Sequence, residues 1–199
     1  MSVKLKGRDL LSIADLTEEE FWELLEFAKL LKLETLAGKR HEYLKGKTLA
    51  MIFQKPSTRT RVAFEVGMYQ LGGYALYLSS NDMQLRRGET IADTARVLSR
   101  FVDGIMARVF DHRDVVDLAK YGSVPVINGL SDEEHPSQVL ADFLTIWEKF
   151  GTLKGLKLAY VGDGNNVAHS LLLAAGLVGM DIAVATPQGY EPKSFYVEK

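Results

Sequence analysis

Hydroxyl and guanidinium side chains are concentrated in one short segment, Ser57-Thr-Arg-Thr-Arg61. The segment follows an apolar run, Thr48 to Phe53, and opens a stretch, Thr58 to Leu71, whose pattern predicts a helix. The first N–H groups of a helix lack intrahelical partners and lie at the positive end of its dipole, so they bind phosphate readily. Arginine adds bidentate hydrogen bonds to phosphate oxygens. The segment therefore predicts an oxyanion site, with the alternative that Ser57 is only a helix cap beside solvated arginines.

Two further polar residues stand where predicted elements end or begin. Arg108 closes an apolar strand, Gly104 to Val109, and His135 opens a predicted helix, Pro136 to Phe150. If the sheet is parallel, both residues face the same sheet edge as Ser57, which is the edge where α/β proteins usually bind ligands. A histidine at a helix start is more often a surface or capping residue, so spacing alone leaves its role open.

A glycine turn, Gly162-Asp-Gly-Asn-Asn166, lies between a predicted strand and a predicted helix. Such turns can bind dinucleotides, but the G-x-G-x-x-G fingerprint needs glycine where this chain has Val167. The following strand ends in Ala185-Thr-Pro187, without an acidic residue for a ribose. The turn is therefore a poor dinucleotide site.

The elements that must position these side chains alternate between strand and helix. Short apolar runs typical of buried parallel strands are predicted at Thr48 to Phe53, Tyr74 to Leu78, Gly104 to Val109, Val124 to Ile127, Leu156 to Val161 and Asp181 to Ala185. A helix is predicted before the first strand, capped by Thr17 with Glu20 three residues later. Helices are also predicted between the strands, among them about Thr90 to Phe101 and Val115 to Tyr121. The pattern predicts an α/β fold, a parallel sheet covered by helices on both faces.

The best candidate for a domain boundary is the segment Gly151-Thr-Leu-Lys-Gly155. It predicts one domain at residues 1–150 and the start of a second at 151–199, which holds a single βαβ unit of Rossmann-like type. About fifty residues are too few to close the core of a doubly wound domain. We therefore expect this unit either to pack its apolar faces on something else or to stay mobile, and we expect Thr186 to Lys199 to be polar turns.

Composition narrows the function classes. The chain has 199 residues and a formal net charge of −2, which disfavours a nucleic-acid partner. It has no cysteine, and its four histidines lack metal-ligand spacing, so no metal or redox cofactor is predicted. The N-terminus is too polar for a signal peptide, and the longest apolar stretch, Leu171 to Met180, is far shorter than the ~20 residues that span a bilayer. We expect a cytoplasmic protein.

The segment Phe53-Gln-Lys-Pro-Ser-Thr-Arg-Thr-Arg61 resembles the carbamoyl phosphate signature of the aspartate/ornithine carbamoyltransferase family. The motifs Leu85-Arg-Arg-Gly-Glu89, Met106-Ala-Arg-Val109 and His135-Pro-Ser-Gln138 follow in the family's order. The resemblance runs from about Lys6 to Pro192, and Gly162-Asp-Gly-Asn-Asn166 is similar to the ornithine branch. Position 137, commonly Cys or Thr in the family, is Ser here, which keeps a small residue.

The resemblance implies the roles of the site residues. The catalytic residues would be Arg108, His135 and Thr60, which serve the carbonyl oxygen of carbamoyl phosphate. Carbamoyl phosphate would be bound by Ser57, Thr58, Arg59, Thr60, Gln84, Arg108, His135 and Gln138. Asn166 would bind the amino and carboxylate end of ornithine, and His169 would be structural. Neither a metal nor a cofactor is implied.

The implied reaction is carbamoyl transfer from carbamoyl phosphate to L-ornithine, giving L-citrulline and phosphate in arginine biosynthesis. The loop carrying Gln84 would reach a neighbouring subunit, which implies a homotrimer or a multiple of trimers. The family's later motifs, a second-domain ornithine loop and a His-Cys-Leu-Pro segment, do not occur in the 199 residues. A fragment of a longer enzyme and a natural truncation with poor turnover therefore stay open. So do other acceptors (aspartate, N-acetylornithine or putrescine) and a non-catalytic subunit that binds carbamoyl phosphate.

Overall fold

A computed structural model describes residues 5–83 and 88–199. Its larger sheet has four parallel strands in the order β2-β1-β3-β4. These strands are β1 (Thr48–Phe53), β2 (Tyr74–Ser79), β3 (Gly104–Arg108) and β4 (Val126–Leu130). A separate parallel pair is formed by β5 (Lys157–Val161) and β6 (Asp181–Ala185). The predicted α/β class is confirmed.

The helices connect and cover these strands. They are α1 (Glu18–Leu36), α2 (Thr58–Gln70), α3 (Ile91–Leu98), α4 (His112–Tyr121), α5 (Pro136–Phe150), α6 (Asn166–Val178) and α7 (Ser194–Glu198), with a 3-10 turn at Ile13–Asp15. Thr17 and Glu20 form the predicted capping box at the start of α1, since each side chain accepts from the other's backbone N–H.

The two faces of the larger sheet bury different side chains, as the alternation along a strand requires. Ile52 and Ala107 pack with Val115 and Leu118 of α4 on one face, whereas Met51 and the other alternate positions pack with α2 on the other. Both faces are therefore covered, which explains why β1 and β3 are apolar almost throughout.

The βαβ unit β5-α6-β6 leans on the first part of the chain through its helix. Eight of the thirteen residues of α6 are buried, and they share a core with α1 and α5 in which Phe21 and Phe143 meet edge to face at 5.5 Å. The outer face of the β5–β6 pair remains open, and Val161 is 82% exposed. The unit was expected either to pack its apolar faces or to stay mobile. Its helix is packed, whereas one face of its strand pair is not covered by any described residue.

Several predicted boundaries were wrong. The fourth strand was predicted at Val124 to Ile127, but it begins at Val126 and continues to Leu130. Pro125 has no N–H to give to the ladder, which explains the late start. Gly129 lies inside this strand although glycine is common in turns. A side chain does not fit there, because a Cβ would meet the Met106 sulfur at 2.4 Å.

Helix ends also differ from the prediction. Helix α4 begins at His112 rather than Val115, because the Asp111 carboxylate accepts from the Arg113 N–H and caps it. Helix α3 ends at Leu98 rather than Phe101. The segment after Thr186 was expected to be polar turns throughout, but it ends in α7, which buries the Tyr196 ring against His169 at 4.0 Å between centroids.

Candidate active site

The start of α2 lies directly after the carboxyl end of β1. Ser57 is its N-cap, with extended backbone, and the Ser57 hydroxyl accepts from the Thr60 N–H at 3.3 Å and donates to the Thr60 hydroxyl at 3.1 Å. Both Thr58 and Arg59 are exposed. Their backbone N–H groups occupy the first helical positions, which have no carbonyl partner inside the helix. The geometry leaves this helix end open to an anion.

Arg108 closes β3 beside the end of β1, because Phe53 and Arg108 are paired in the sheet register. One guanidinium nitrogen of Arg108, Nη1, lies 3.5 Å from the Thr60 hydroxyl. The buried Nε of Arg108 has no hydrogen-bond partner among the described residues. Burial, and secondly the nearby Arg59 charge, lower the pKa of Arg108. Two like charges and an unused buried donor at one sheet edge form a site that an anion would complete.

His135 is the N-cap of α5, and its side chain makes no capping bond. Its ring Nδ1 lies 3.3 Å from the Ser137 hydroxyl. Burial, and secondly the Arg108 charge, lower the pKa of His135 to about 4. The imidazole is therefore neutral at pH 7, and it keeps one N–H that can be donated to a carbonyl oxygen.

Two further predicted residues, Gln138 and Asn166, already make hydrogen bonds within the protein. Gln138 donates its amide to Asp142 at 2.9 Å, one turn along α5, and its amide oxygen has no partner among the described residues. Asn166 donates its amide to the Ser131 carbonyl at 2.7 Å, and its amide oxygen accepts from the Val167 N–H. Gln84 lies outside the described residues.

Arg61 was part of the segment that first suggested an anion site, but it turns away from it. Its guanidinium donates to Glu65 at 3.0 Å and stacks over the Tyr77 ring at 3.8 Å. An i, i+4 ion pair of this kind belongs to the helix surface. Of the two arginines in the segment, Arg59 is the one whose charge lowers the pKa of Arg108.

The turn between β1 and α2 is held by contacts to distant residues that the sequence analysis did not identify. Lys55 pairs with Asp132 and lies 4.5 Å above the Phe110 ring centre. The Gln54 side chain donates to Asp114 at 2.6 Å and accepts from the Phe110 N–H at 3.1 Å. These partners are 56 to 77 residues away along the chain. No local pattern could have identified them, although Gln54 and Lys55 stand inside the recognised motif.

A metal site, a separate cleft and a membrane-spanning helix are three further features that a structure of this kind could contain. No group of three or more metal-ligating side chains occurs in residues 5–83 and 88–199. A cleft of about 360 Å³ lies between α1 and α2, lined by Leu31, Leu36, His41 and Gly67 among others, and none of the predicted site residues lines it. Within the same part of the chain, no helix is long and apolar enough to cross a membrane.

Comparison with known proteins gives two family matches that follow each other along the chain. Residues 8–148 match the carbamoyl-P binding domain of aspartate/ornithine carbamoyltransferases. Residues 154–199 match the Asp/Orn binding domain of the same proteins. The gap between the two matches falls at the glycine-bounded segment that was predicted to separate two domains.

Individual relatives carry the same name. The chain is 70% identical over 192 residues to an ornithine carbamoyltransferase of Pyrococcus abyssi, and 69% identical to an anabolic one of Pyrococcus furiosus; each match covers 96% of this chain. The solved structure of the Pyrococcus furiosus ornithine carbamoyltransferase superposes with a TM-score of 0.95 at 67% identity, and covers 98% of this chain and 62% of that one. The Thermus thermophilus structure gives a TM-score of 0.89 at 48% identity. The chain spans about 61% of the length of these curated relatives.

Proposed function

This chain belongs to the aspartate/ornithine carbamoyltransferase family, and on that premise we propose that it serves in carbamoyl transfer from carbamoyl phosphate to the side-chain amine of L-ornithine, which yields L-citrulline and phosphate. The observation that carries the proposal is the approach of the Arg108 guanidinium to the Thr60 hydroxyl at one sheet edge, beside the Arg59 charge. Among the described residues the buried Arg108 Nε has no hydrogen-bond partner. A dianionic phosphate with a carbonyl beside it matches that distribution of donors.

In the proposed reaction the neutral amine attacks the carbonyl carbon, so a C–N bond forms. The C–O bond to phosphate then breaks, phosphate leaves with the electron pair, and the amine gives up a proton. Negative charge grows on the carbonyl oxygen and on the departing phosphate. Donors held in advance at both positions lower the barrier, and one such donor typically contributes about 2.7–4 kcal/mol in other enzymes.

The residues divide between these two positions. Ser57, Thr58, Arg59 and Thr60 face the phosphate, since they surround the open helix end. Arg108, the neutral His135 and the Thr60 hydroxyl serve the carbonyl oxygen. Gln138 donates its amide to Asp142, and its amide oxygen is proposed to accept from the carbamoyl NH₂. Gln84 is proposed as a further carbamoyl phosphate contact, by family resemblance.

The second part of the chain is proposed to begin the ornithine site. Residues 1–150 would form the carbamoyl phosphate domain and residues 151–199 the start of the ornithine domain, in agreement with the two family matches. Asn166 at the start of α6 is the proposed contact for the α-amino and carboxylate groups of ornithine. The turn Gly162 to Asn166 favours ornithine over aspartate as acceptor, and arginine biosynthesis in the cytoplasm is the proposed setting.

A homotrimer, or a multiple of trimers, is the proposed assembly. Helix α2 exposes Val62, Val66 and Tyr69 at 50%, 44% and 81%, and these residues lie at i, i+4 and i+7 on one helix face. The neighbouring strand β2 is the edge of the sheet. An apolar stripe beside a sheet edge and next to the anion site is the kind of surface that a second copy of the chain would cover.

Calorimetric titration with carbamoyl phosphate and with inorganic phosphate tests the proposal. Both ligands should bind and compete. Arg59→Ala should weaken both about tenfold or more, the usual size for a hydrogen bond to a charged group. Arg61→Ala is the matched control and should not, because Arg61 is already paired with Glu65. An unmodified chain that binds neither ligand contradicts the proposal.

A citrulline assay on the same protein separates the two candidate roles. Binding together with citrulline formation from ornithine indicates an enzyme. Binding without citrulline indicates the alternative, a subunit that binds carbamoyl phosphate but does not turn over alone. Parallel assays with aspartate, N-acetylornithine and putrescine decide the acceptor.

A further inference from the structure

The loop that carries His135 is bound by one face of helix α6. Asn166 donates to the Ser131 carbonyl at 2.7 Å, His169 lies with its Nδ1 2.8 Å from the Glu133 carbonyl, and the His135 N–H donates to the Ser170 hydroxyl at 3.0 Å. The three helix residues are at i, i+3 and i+4, so they lie side by side. A helix within the second family match thus holds a loop within the first.

The hydrogen bond from the His135 N–H to the Ser170 hydroxyl satisfies a buried backbone donor. His135 is a helix N-cap, whose backbone N–H is outside the α5 hydrogen-bond ladder, and both residues are buried. A buried N–H without a partner is costly, so the Ser170 hydroxyl fixes the position of the His135 backbone. No other described side chain accepts from this N–H.

Glu134 sets the direction of the Ser170 hydroxyl. Ser170 donates to the Glu134 carboxylate at 3.3 Å, and the same carboxylate oxygen accepts from the Ile13 N–H at 3.2 Å. Burial raises the pKa of Glu134, and hydrogen bonds from Ser12, Ile13 and Ser170 oppose that rise. Among the described residues Glu134 has no ion pair, so these neutral donors hold its carboxyl group in place.

We propose that Ser170 and Glu134 are positioning residues for His135, so that helix α6 sets the orientation of the imidazole that faces Arg108. The inference rests on the proposed function, because His135 matters there as a donor to the carbonyl oxygen. It makes the first helix of the ornithine part a support of the carbamoyl site. The Ser170 hydroxyl is the group of α6 that contacts His135 itself, so a disturbance of α6 reaches His135 most directly through it.

The primary test is the titration of the four histidine rings by NMR, with His135 assigned from a His135→Gln variant. In the unmodified chain the pKa of His135 should lie at about 4 because the ring is buried beside Arg108. In Ser170→Ala it should rise towards the ordinary histidine value of about 6.5, as the loop loosens and water reaches the ring. An unchanged His135 titration in Ser170→Ala overturns the proposal.

Ser99→Ala is a matched control. The Ser99 hydroxyl also accepts a backbone N–H from a distant loop, that of Ser123 at 3.0 Å, and donates to a carbonyl, that of Ala95 at 2.7 Å. Its loss likewise removes one hydrogen bond accepted from a backbone N–H and one donated to an oxygen, here a carbonyl rather than a carboxylate, and neither partner belongs to the His135 loop or to α6. It should lower stability while leaving the His135 titration as it was; an equal shift in both variants would mean general loosening and would refute the positioning role.

Ligand binding gives a second readout. Ser170→Ala should weaken carbamoyl phosphate about three- to tenfold, the range for one hydrogen bond, and leave inorganic phosphate unchanged, since phosphate lacks the carbonyl that His135 serves. If Ser170→Ala does not fold, Glu134→Gln, which keeps the side-chain shape without the charge, should move the His135 pKa in the same direction by less; no movement overturns the proposal. An unmodified chain that binds neither ligand contradicts the proposed function instead, and the NMR result still decides the role of Ser170.

Discussion

The Arg108 guanidinium lies 3.5 Å from the Thr60 hydroxyl, although the two residues are 48 positions apart in the chain. The approach follows from the parallel register of β1 and β3, which brings Phe53 beside Arg108 and so places the start of α2 next to the end of β3. A strand end and a helix start thereby supply charge and hydroxyl donors to one point.

Phosphate should stabilise the protein through Arg59. A ligand that binds only the folded state adds about 2.7 kcal/mol to the free energy of unfolding at a hundred times its dissociation constant. Arg59→Gln should remove most of this gain, because it deletes the positive charge at the open start of α2. Thermal unfolding with and without phosphate measures the effect, and an equal rise in melting temperature for both proteins would exclude Arg59 from the anion site.

His135 should make stability depend on pH. Burial beside Arg108 lowers its pKa to about 4 in the folded chain, whereas the unfolded value is about 6.5. Between these values the unfolded chain binds more protons, so this contribution is intact above pH 6.5 and is lost as the pH falls towards 4. The loss should approach about 3–3.5 kcal/mol, at about 1.4 kcal/mol for each of the roughly 2.5 pKa units that separate the two values.

Urea unfolding of the unmodified chain and of His135→Gln at several pH values between 4 and 7 isolates that contribution. The difference in unfolding free energy between the two proteins should change over this window. A constant difference would show that His135 is not buried in its neutral form.

Gly164 should resist substitution because the chain passes close to it. A Cβ at this position would lie 2.2 Å from the Pro192 nitrogen, and the Gly164 N–H donates to the Tyr190 carbonyl at 2.8 Å. Gly164→Ala should therefore destabilise the fold by about 1–3 kcal/mol. Gly176→Ala, in an open position inside α6, is the control and should stabilise by about 0.5–1 kcal/mol. Denaturant midpoints compare the two, and equal effects would argue against the close approach.

The apolar stripe on α2 should govern assembly. Val66→Glu places a charge between Val62 and Tyr69, so an interface that covers these residues should dissociate. Val97→Glu changes an equally exposed valine on α3, at 51% exposure, and should leave the assembly intact. Light scattering after size-exclusion chromatography reads the mass directly. A monomeric unmodified chain, or an oligomer that survives Val66→Glu, would remove α2 from the interface.

Local signals predicted much of the fold because their causes are local. The cap at Thr17, the apolar run of β1 and the stop of α2 before Gly72, with its φ of 81°, all depend on neighbours within a few residues. Boundaries were wrong where a distant partner decided them. Strand β4 begins at Val126, after a proline whose carbonyl accepts a hydrogen bond from an N–H of β3. Tyr196 forms part of α7, where its ring stacks on the His169 ring.

The sequence by itself determined the α/β class and the family, and it indicated Ser57 to Arg61 as a candidate anion-binding segment, because hydrophobic periodicity, helix capping and a contiguous motif are properties of adjacent residues. Only the tertiary structure decided that Arg61 pairs with Glu65 while the Arg59 charge lowers the pKa of Arg108, and that Ser170 holds the backbone of His135. The relationships of Arg59 with Arg108 and of Ser170 with His135 depend on strand order, register and helix packing. They join residues tens of positions apart, and no local pattern between those residues predicts them.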